Sequence, residues 1–248
     1  MKFGAIIIGD ELLSGKRQDK HFARIIQVLA ERGLELAWCR IIGDVPDLIV
    51  ETLRQTMAND DIVFCFGGIG ATPDDHTRAC AAQAAGVVLA PHAEAIKEIE
   101  ARFGEAAYPQ RIRMAELPVG SIIIPNPYNR IPGFSLNRHH FLPGFPEMAW
   151  PMMTWLLDQR YPYLRRTHPA IERILTVWSR EGELLPLMQT LVERYPRCRL
   201  SSLPELNSER PRLELGVRGE EVDVAAAIGY LQHELTALGI EWRDADAR

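Results

Sequence analysis

Apolar positions in the first 160 residues alternate between two spacings, which predicts alternating strands and helices. Continuous apolar runs at 4–8 and 62–66 have the length and composition of strands buried on both faces. Elsewhere apolar residues recur every three or four positions, as on one helix face. These helical stripes are Phe22, Ile25, Ile26 and Leu29; Ile49, Leu53 and Met57; and Ile96, Ile99 and Phe103. Further strands are predicted at 36–42, 87–89 and 121–125, and a helix at 147–160. This alternation is typical of a mostly parallel sheet with helices on both faces, a three-layer α/β/α fold.

The pattern changes after residue 160. Residues 161–170 combine prolines with a basic pair and are predicted to be a linker between a domain at 1–160 and a second at 171–248. The second segment has strand patterns at 174–177, 199–203, 213–217 and 240–242, and helical patterns around 184–191 and 222–238. The resulting β-α-β-β-α-β order predicts a small α+β domain of the ferredoxin-like type.

A glycine turn follows the apolar run at 62–66. It contains Gly67, Gly68 and Gly70, and the next residues have the chemistry of a helix start. Thr72 is suited to cap a helix that ends near Gly86, and Asp75 lies three residues further on. A glycine turn joined to a helix start points free backbone amides at one place, as an anion site requires.

Acidic pairs follow two of the predicted strands. Asp74 and Asp75 come after the glycine turn, and Asp10 and Glu11 come after Gly9 at the end of the first strand. Because parallel strands end at the same edge of a sheet, these loops are expected to lie together. Carboxylates beside a phosphate site indicate a divalent cation. The alternatives are an ordinary acidic helix N-terminus for the first pair and a solvated loop for the second.

Composition narrows the function classes. The 248 residues are 47% hydrophobic and 25% charged, and the net charge of −5 argues against general nucleic-acid binding. Apolar runs are too short to span a membrane, and an acidic pair by residue 11 is not typical of a signal peptide. The four cysteines, at 39, 65, 80 and 198, lack metal-binding spacing. We therefore expect a cytoplasmic protein.

The two acidic segments, 9–15 and 67–77, together resemble the MoaB/Mog-like molybdopterin-binding domain family, in particular the N-terminal part of CinA-like proteins. Further matches occur in the family's order at 42–44, 125–127, 132–134 and 142–147, so that the resemblance covers roughly residues 1 to 160. Departures are Ala71 in place of a proline, residues 128–131 in place of a Gly-Thr segment, and Arg113 in place of a lysine. The 248 residues contain no segment resembling the CinA deamidase domain, so that activity is not expected.

The resemblance and the motifs together imply a site. The expected ligand-binding residues are Gly9, Gly67, Gly68, Gly70, Thr72, Thr77, Pro143 and Gly144. The expected ligands of Mg²⁺ or another divalent metal are Asp10, Glu11, Asp44 and Asp75, and the expected catalytic residues are Asp74 and Asp75. Asp44 has an alternative role as the cap of a helix beginning near Pro46.

Three function classes follow from the resemblance, and in the first two the partner is a small molecule. The first is a metal-dependent pyrophosphatase acting on nucleotide diphosphates such as ADP-ribose or FAD. The second is a molybdopterin-binding protein of molybdenum cofactor biosynthesis. The third is a ligand-binding module without turnover. The paired acids favour the first two, and the CinA-like pattern with an appended domain favours the pyrophosphatase.

Two further expectations concern specific side chains. His139 and His140 are predicted to lie exposed at a hairpin tip, without a function. The resemblance also suggests a homo-oligomer formed through the first domain. Its only support in the residues is a cluster of large apolar side chains that has intramolecular core as its alternative, namely Trp150, Met152, Met153, Trp155 and Leu156.

Overall fold

The computed structural model describes residues 2–166, 170–205 and 210–245. The chain divides into two compact units, 1–165 and 166–248, each treated by itself below. The division falls inside the predicted linker. No helix within the described residues is long and apolar enough to cross a membrane.

The first unit alternates strands and helices along most of its length. In chain order its elements are β1 (Phe3–Ile8), α1 (Asp10–Leu13), α2 (His21–Ala30), β2 (Leu36–Ile42), α3 (Pro46–Met57), β3 (Ile62–Phe66), α4 (Thr77–Ala85), β4 (Leu89–Pro91), α5 (Ala93–Phe103), β5 (Glu116–Pro118), β6 (Ile122–Ile124), β7 (Gly133–Leu136), β8 (His139–Leu142) and α6 (Pro146–Arg160). Short 3-10 turns occupy 104–107, 111–115 and 162–164.

The main sheet has six strands in the order β2-β1-β3-β8-β7-β6. The first four are parallel, β7 pairs antiparallel with β8, and β6 pairs antiparallel with β7, so that only β7 runs in the opposite direction. Strands β4 and β5 form a separate antiparallel ladder. Since β1, β2, β3 and β8 run in one direction, the loops after them meet at one edge of the sheet.

Helices cover both faces of this sheet, as the apolar runs predict. Ala5 and Ile7 of β1 belong to the core with α2 and α6, whereas Ile6 and Ile8 belong to the core with α3, α4 and α5. Strands β1 and β3 are buried along their whole length because they lie in the middle of three layers. The predicted three-layer α/β/α fold is confirmed.

His139 and His140 correct the prediction of an exposed hairpin tip. The tip is formed by Asn137 and Arg138, which have positive φ angles, and both histidines lie buried in β8. His139 is 2.8 Å from the Thr56 hydroxyl through Nε2. Burial lowers the pKa of His139 to about 4. Burial, and after it the positive charges of protonated His139 and of Arg160, lowers the pKa of His140 to about 3. Both imidazoles are therefore neutral parts of the core.

The last residues of the first unit pack against its core. Met152, Met153 and Leu156 of α6 are fully buried in the core, so most of the apolar cluster considered for oligomer formation is intramolecular. The Tyr161 hydroxyl is 2.7 Å from His140 Nε2, and Leu164 packs against the same core. Residues 161–164 therefore belong to the first unit, which places them outside any linker.

The second unit has the predicted β-α-β-β-α-β order. Its elements are β9 (Ile171–Val177), α7 (Glu181–Arg194), β10 (Arg199–Glu205), β11 (Arg212–Gly219), α8 (Glu221–Ala237) and β12 (Trp242–Asp244). The sheet order is β10-β11-β9-β12, with each neighbouring pair antiparallel. Leucines and valines of β9 and β11 pack against both helices in one core. This is the ferredoxin-like arrangement, and the prediction is confirmed.

Candidate functional site

A cavity of about 440 Å³ lies at the edge where the four parallel strands end. Its walls come from the loops after β1, β2, β3 and β8, represented by Glu11, Asp44, Gly68 and Gly144. Additional walls come from Met114, Asn126, Asn129, Ile131 and Met148. The predicted glycine turn and the predicted acidic loops therefore share one cavity.

The glycine turn has a backbone that side chains would disturb. Gly67 and Gly68 have φ angles of 106° and 67°. A Cβ on Gly67 would lie 2.2 Å from the Ile8 carbonyl oxygen, and one on Gly68 would lie 2.3 Å from the Thr77 hydroxyl. The turn thus passes directly over the end of β1, which only glycine permits.

Free amides line this turn. Within the part of the chain that the structure describes, the backbone amides of Gly68, Ile69 and Gly70 donate to no protein atom. All three residues are walls of the cavity. Successive free amides form a concave donor surface that suits a phosphate or another anion.

The residues after the turn differ from the prediction. Helix α4 begins at Thr77, and no side chain caps it, so the expected helix start at Thr72 is wrong. Instead, the Asp75 carboxylate accepts the Thr72 amide at 2.9 Å and also the Thr72 hydroxyl. The Asp75 amide donates back to the Thr72 carbonyl at 3.0 Å. Thr72 and Asp75 thus close a separate tight turn. The hydrogen-bonding groups of these two residues, which were expected to bind ligand or metal, are engaged within that turn.

Thr77 supports the glycine turn and does not line the cavity. It is fully buried, and its hydroxyl donates to the Gly67 carbonyl at 3.0 Å. Its amide donates to the Gly68 carbonyl at 3.0 Å. These two bonds fasten the glycine turn to the first residue of α4.

Asp10 and Asp44 join two of the loops. The Asp10 amide donates to the Asp44 carboxylate at 2.9 Å, and the Asp44 amide donates to the Asp10 carboxylate at 3.1 Å. Asp44 also precedes α3, but no side chain caps that helix. Of the pair, Asp44 lines the cavity and Asp10 does not.

The carboxylates repel one another across the cavity. Burial raises the pKa of Asp44, and the negative charges of Asp10, Glu11 and Asp74 raise it further. The pKa of Asp74 is lowered, first by the nearby Thr72 hydroxyl, which Asp74 shares with Asp75, and then by its own backbone amide. The Asp74 carboxylate is therefore kept ionised, whereas the surrounding negative charge makes ionisation of the Asp44 carboxyl less favourable.

A divalent cation fits these residues in part. No group of three or more acidic, histidine or cysteine side chains in the described ranges is arranged to hold a metal ion. However, Mg²⁺ is usually bound through one or two carboxylates, with substrate phosphates and water as its other ligands. Glu11, Asp44 and Asp74 provide suitable oxygens on the cavity that contains the free amides.

Arg78 is a structural contributor that the sequence analysis did not identify. Its guanidinium is buried and donates to the carbonyls of Gly70, Arg113 and Glu116, at 2.8, 2.6 and 3.0 Å. Burial lowers the pKa of Arg78. The side chain connects the glycine turn to the 113–116 segment. In the sequence, only the position of Arg78 shortly after the turn indicated such a role.

Asn126 organises the opposite wall of the cavity. Its side-chain amide donates to Asn129 at 2.8 Å and to the Ile131 carbonyl at 2.9 Å, and its oxygen accepts the Tyr128 amide at 3.0 Å. These bonds hold the 128–131 segment in place beside the cavity. Walls that the sequence did not indicate are Arg17, Met114, Phe145 and Met148.

Comparisons with known proteins agree with this architecture. A family profile described as "Probable molybdopterin binding domain" matches residues 4–166. A CinA-like protein from Myxococcus xanthus is 30% identical over 212 residues, covering 79% of this chain and 50% of that protein. A protein from Pyrobaculum calidifontis is 29% identical over 224 residues, covering 86% of this chain and 84% of that protein.

A solved structure of similar fold is the protein CinA, described as of unknown function, from Thermoplasma acidophilum. It is 26% identical with a TM-score of 0.58, and the match covers 64% of this chain and 98% of that chain. The chain spans about half the length of the Myxococcus CinA-like protein and of a similar one from Syntrophotalea carbinolica. The chain therefore belongs to the MoaB/Mog-like family of probable molybdopterin binding domains, and it resembles the N-terminal part of CinA-like proteins.

Proposed function

We propose that the protein binds a nucleotide diphosphate at this cavity and, with a divalent metal, hydrolyses its pyrophosphate linkage. ADP-ribose and FAD represent the substrate class. The observation that carries the proposal is the placement of Glu11, Asp44 and Asp74 on the same cavity as three free amides of the glycine turn. Amides alone would suit any anion, but added carboxylates would repel it unless a cation lies between them.

The residues of the chain would divide the work as follows. The amides of Gly68, Ile69 and Gly70 would receive phosphate oxygens, and Asp74 and Glu11 would hold the cation. Asp75 and Arg78 keep the glycine turn in place through the bonds described above. Water adds to one phosphorus while the bridging oxygen leaves with the other, which converts ADP-ribose and water into AMP and ribose 5-phosphate. A bound divalent ion would polarise the phosphoryl oxygens and lower the pKa of its bound water.

A direct test uses ADP-ribose and FAD with and without Mg²⁺, with AMP measured by chromatography. The proposal expects AMP formation that needs the metal and falls at least about a hundredfold in Asp74→Asn and Glu11→Gln. The matched control is Asp60→Asn, because the Asp60 side chain is 87% exposed and lies outside the cavity. The absence of AMP with any nucleotide diphosphate, from folded protein at millimolar Mg²⁺, would contradict the hydrolase proposal.

Molybdopterin binding is the second candidate. The description of the matching family favours it, as does a cavity whose volume lies within the range of about 300–1,000 Å³ for small-molecule sites. The same free amides would receive the single phosphate of the pterin. Competition separates the two candidates, because molybdopterin that displaces ADP-ribose without being turned over would identify a pterin-binding protein.

A further inference from the structure

Arg17 is a basic side chain on a cavity whose other charged walls are acidic. Within the part of the chain that the structure describes, no other lysine or arginine lines the cavity of the glycine turn. The acidic walls are Glu11, Asp44, Asp74 and Asp75. Arg17 is exposed, and its guanidinium forms no ion pair and no hydrogen bond with any described residue. Its donors are therefore available to a molecule in the cavity.

The backbone that carries Arg17 is held in place. The Arg17 amide donates to the Glu11 carbonyl at 3.0 Å, and Gly15, with a φ of 72°, turns the chain back after α1. The residue is thus fastened to the loop after β1, and β1 is the neighbour of β3 in the sheet. The guanidinium and the free amides of the glycine turn consequently come from adjacent strand ends and face one cavity.

A bound diphosphate needs more positive charge than one cation supplies. Each phosphate of a pyrophosphate diester carries a negative charge, and the carboxylates on the walls add more. A single Mg²⁺ offsets the charge of the phosphates or that of the carboxylates, but not both. The amides of the turn donate hydrogen bonds without a net charge. A guanidinium supplies the missing charge, and its paired N–H groups match two oxygens of one phosphate.

We propose that Arg17 binds the second phosphate of the diphosphate, next to the one held by the glycine turn, and so selects diphosphates over monophosphates. This rests on the proposed function and deepens it, because it names a residue that recognises the pyrophosphate. Arg17 also borders an adjoining cavity of about 460 Å³, so it lies where a molecule anchored at the turn leaves the first cavity. A ligand with a single phosphate at the turn has no second phosphate for Arg17.

The test compares two ligands of similar charge. One is the α,β-methylene analogue of ADP-ribose, whose carbon bridge prevents hydrolysis. The other is AMP, which carries nearly the same total charge on one phosphate, because a phosphate monoester loses its second proton near about pH 6. Binding is measured by calorimetry with Mg²⁺ at neutral pH for wild type, Arg17→Gln and Arg17→Lys, after a thermal melt has shown that each protein is folded. Lys16→Gln is the matched control, because Lys16 is exposed, carries the same charge and lines neither cavity.

Arg17→Gln is expected to lose at least about tenfold in affinity for the analogue, about 1.4 kcal/mol, and to bind AMP within about twofold of wild type. Arg17→Lys should lie between them, because lysine keeps the charge without the paired donors. Lys16→Gln should bind both ligands as wild type does.

Unchanged binding of the analogue by Arg17→Gln would overturn the inference and leave the proposed function standing. The same holds for an equal loss with both ligands, or an equal loss in Arg17→Gln and Lys16→Gln, since Arg17 would then attract any anion. If the wild-type protein does not bind the analogue, the proposed function fails, and the inference fails with it.

Discussion

Asp10 and Asp44 each donate a backbone amide to the carboxylate of the other, at 2.9 and 3.1 Å. The exchange joins the loop after β1 to the loop after β2 and places Asp44 on the wall of the cavity. Because each carboxylate is held by an amide, neither can turn away from the charges of Glu11 and Asp74. The edge of the cavity thus holds negative charge in a fixed place.

This arrangement predicts that Glu11→Gln stabilises the metal-free protein. Asp44 has a raised pKa, so it opposes folding once ionised, and this cost is absent below its unfolded value near 3.8 and complete above its folded pKa. Removing the Glu11 charge should lower that cost. A surface pair of this kind is worth about 0.2–1 kcal/mol, which corresponds to a rise in melting temperature of about 1–3 °C at pH 7.

The measurement is a thermal melt in low salt without metal, compared with Glu105→Gln, which removes an exposed carboxylate outside the cavity. The increase should vanish at pH 3, where Asp44 is largely protonated in both proteins. An equal increase in both variants would point to overall net charge as the cause instead.

Gly68→Ala should destabilise the first unit and disrupt the anion site. The substitution places a Cβ at a φ of 67°, which costs about 1–2 kcal/mol, and pushes it against the Thr77 hydroxyl at 2.3 Å. Gly182→Ala is the matched control, because Gly182 lies in α7 with no atom within 4 Å of an added Cβ. The first variant should be less stable in urea and bind pyrophosphate more weakly. The second should bind pyrophosphate as the wild type does and should be no less stable, because alanine favours a helix over glycine. Unimpaired pyrophosphate binding in folded Gly68→Ala would remove the glycine turn from the site.

Arg78→Gln should make the glycine turn less rigid, because Arg78 donates to the Gly70 carbonyl. It removes donors from the carbonyls of Gly70, Arg113 and Glu116, and an unsatisfied buried group costs about 1–3 kcal/mol. We expect weaker nucleotide binding together with this loss of stability, although Arg78 itself does not line the cavity. Arg54→Gln removes an exposed arginine from α3 and should change neither quantity in denaturant melts and calorimetry.

Acid should unfold the first unit partly through His139 and His140. Their pKa values in the folded protein are about 4 and about 3, below the ordinary value of 6.5. The unfolded chain therefore binds protons first, so the stability due to their neutral burial is complete above pH 6.5 and falls as the pH drops towards 4. Each histidine contributes a slope of up to about 1.4 kcal/mol per pH unit.

The check is the pH dependence of the free energy of unfolding between pH 6.5 and 4.5 for wild type and His139→Gln. The glutamine variant should show the shallower slope, because one titrating group has been removed. His233→Gln is the control, since His233 is exposed and should leave the slope unchanged. Identical slopes in all three proteins would exclude His139 as a source of the acid sensitivity.

The first unit should fold and bind nucleotide alone. Residues 1–165 contain both core clusters that surround the six-stranded sheet, and Tyr161 and Leu164 complete that packing. Calorimetry with ADP-ribose and Mg²⁺ should therefore give a signal for the 1–165 fragment. A folded fragment that binds nothing would show that the second unit contributes to the site. A fragment ending at residue 160 should be less stable because it lacks both side chains.

The parts of the fold that the sequence predicted are those governed by local composition. The apolar runs of β1 and β3 can be buried on both faces only in the middle of three layers, so strands at 4–8 and 62–66 were predictable from the sequence, and the first begins one residue earlier in the structure. The β-α-β-β-α-β order of the second unit follows from spacing in the same way. The glycines at 67 and 68 were recognisable because their backbone requirement is a property of the residue type.

The wrong predictions concern residues whose contacts lie far away in the sequence and sequence patterns that occur in more than one kind of structure. His139 contacts Thr56, and His140 contacts Tyr161, so their burial depends on pairings that a local pattern does not contain. Thr72 and Asp75 have the spacing of a helix cap, but the bond between them closes a turn before α4 begins. Arg78 was overlooked because two of its three carbonyl partners lie more than thirty residues away.

The wall around Asn126 has a consequence for how relatives could diverge. Asn126 positions the 128–131 segment through its own side chain, and Asn129 and Ile131 of that segment line the cavity. Substitutions in this segment can therefore change one side of the cavity while the strand ends and the glycine turn stay as they are.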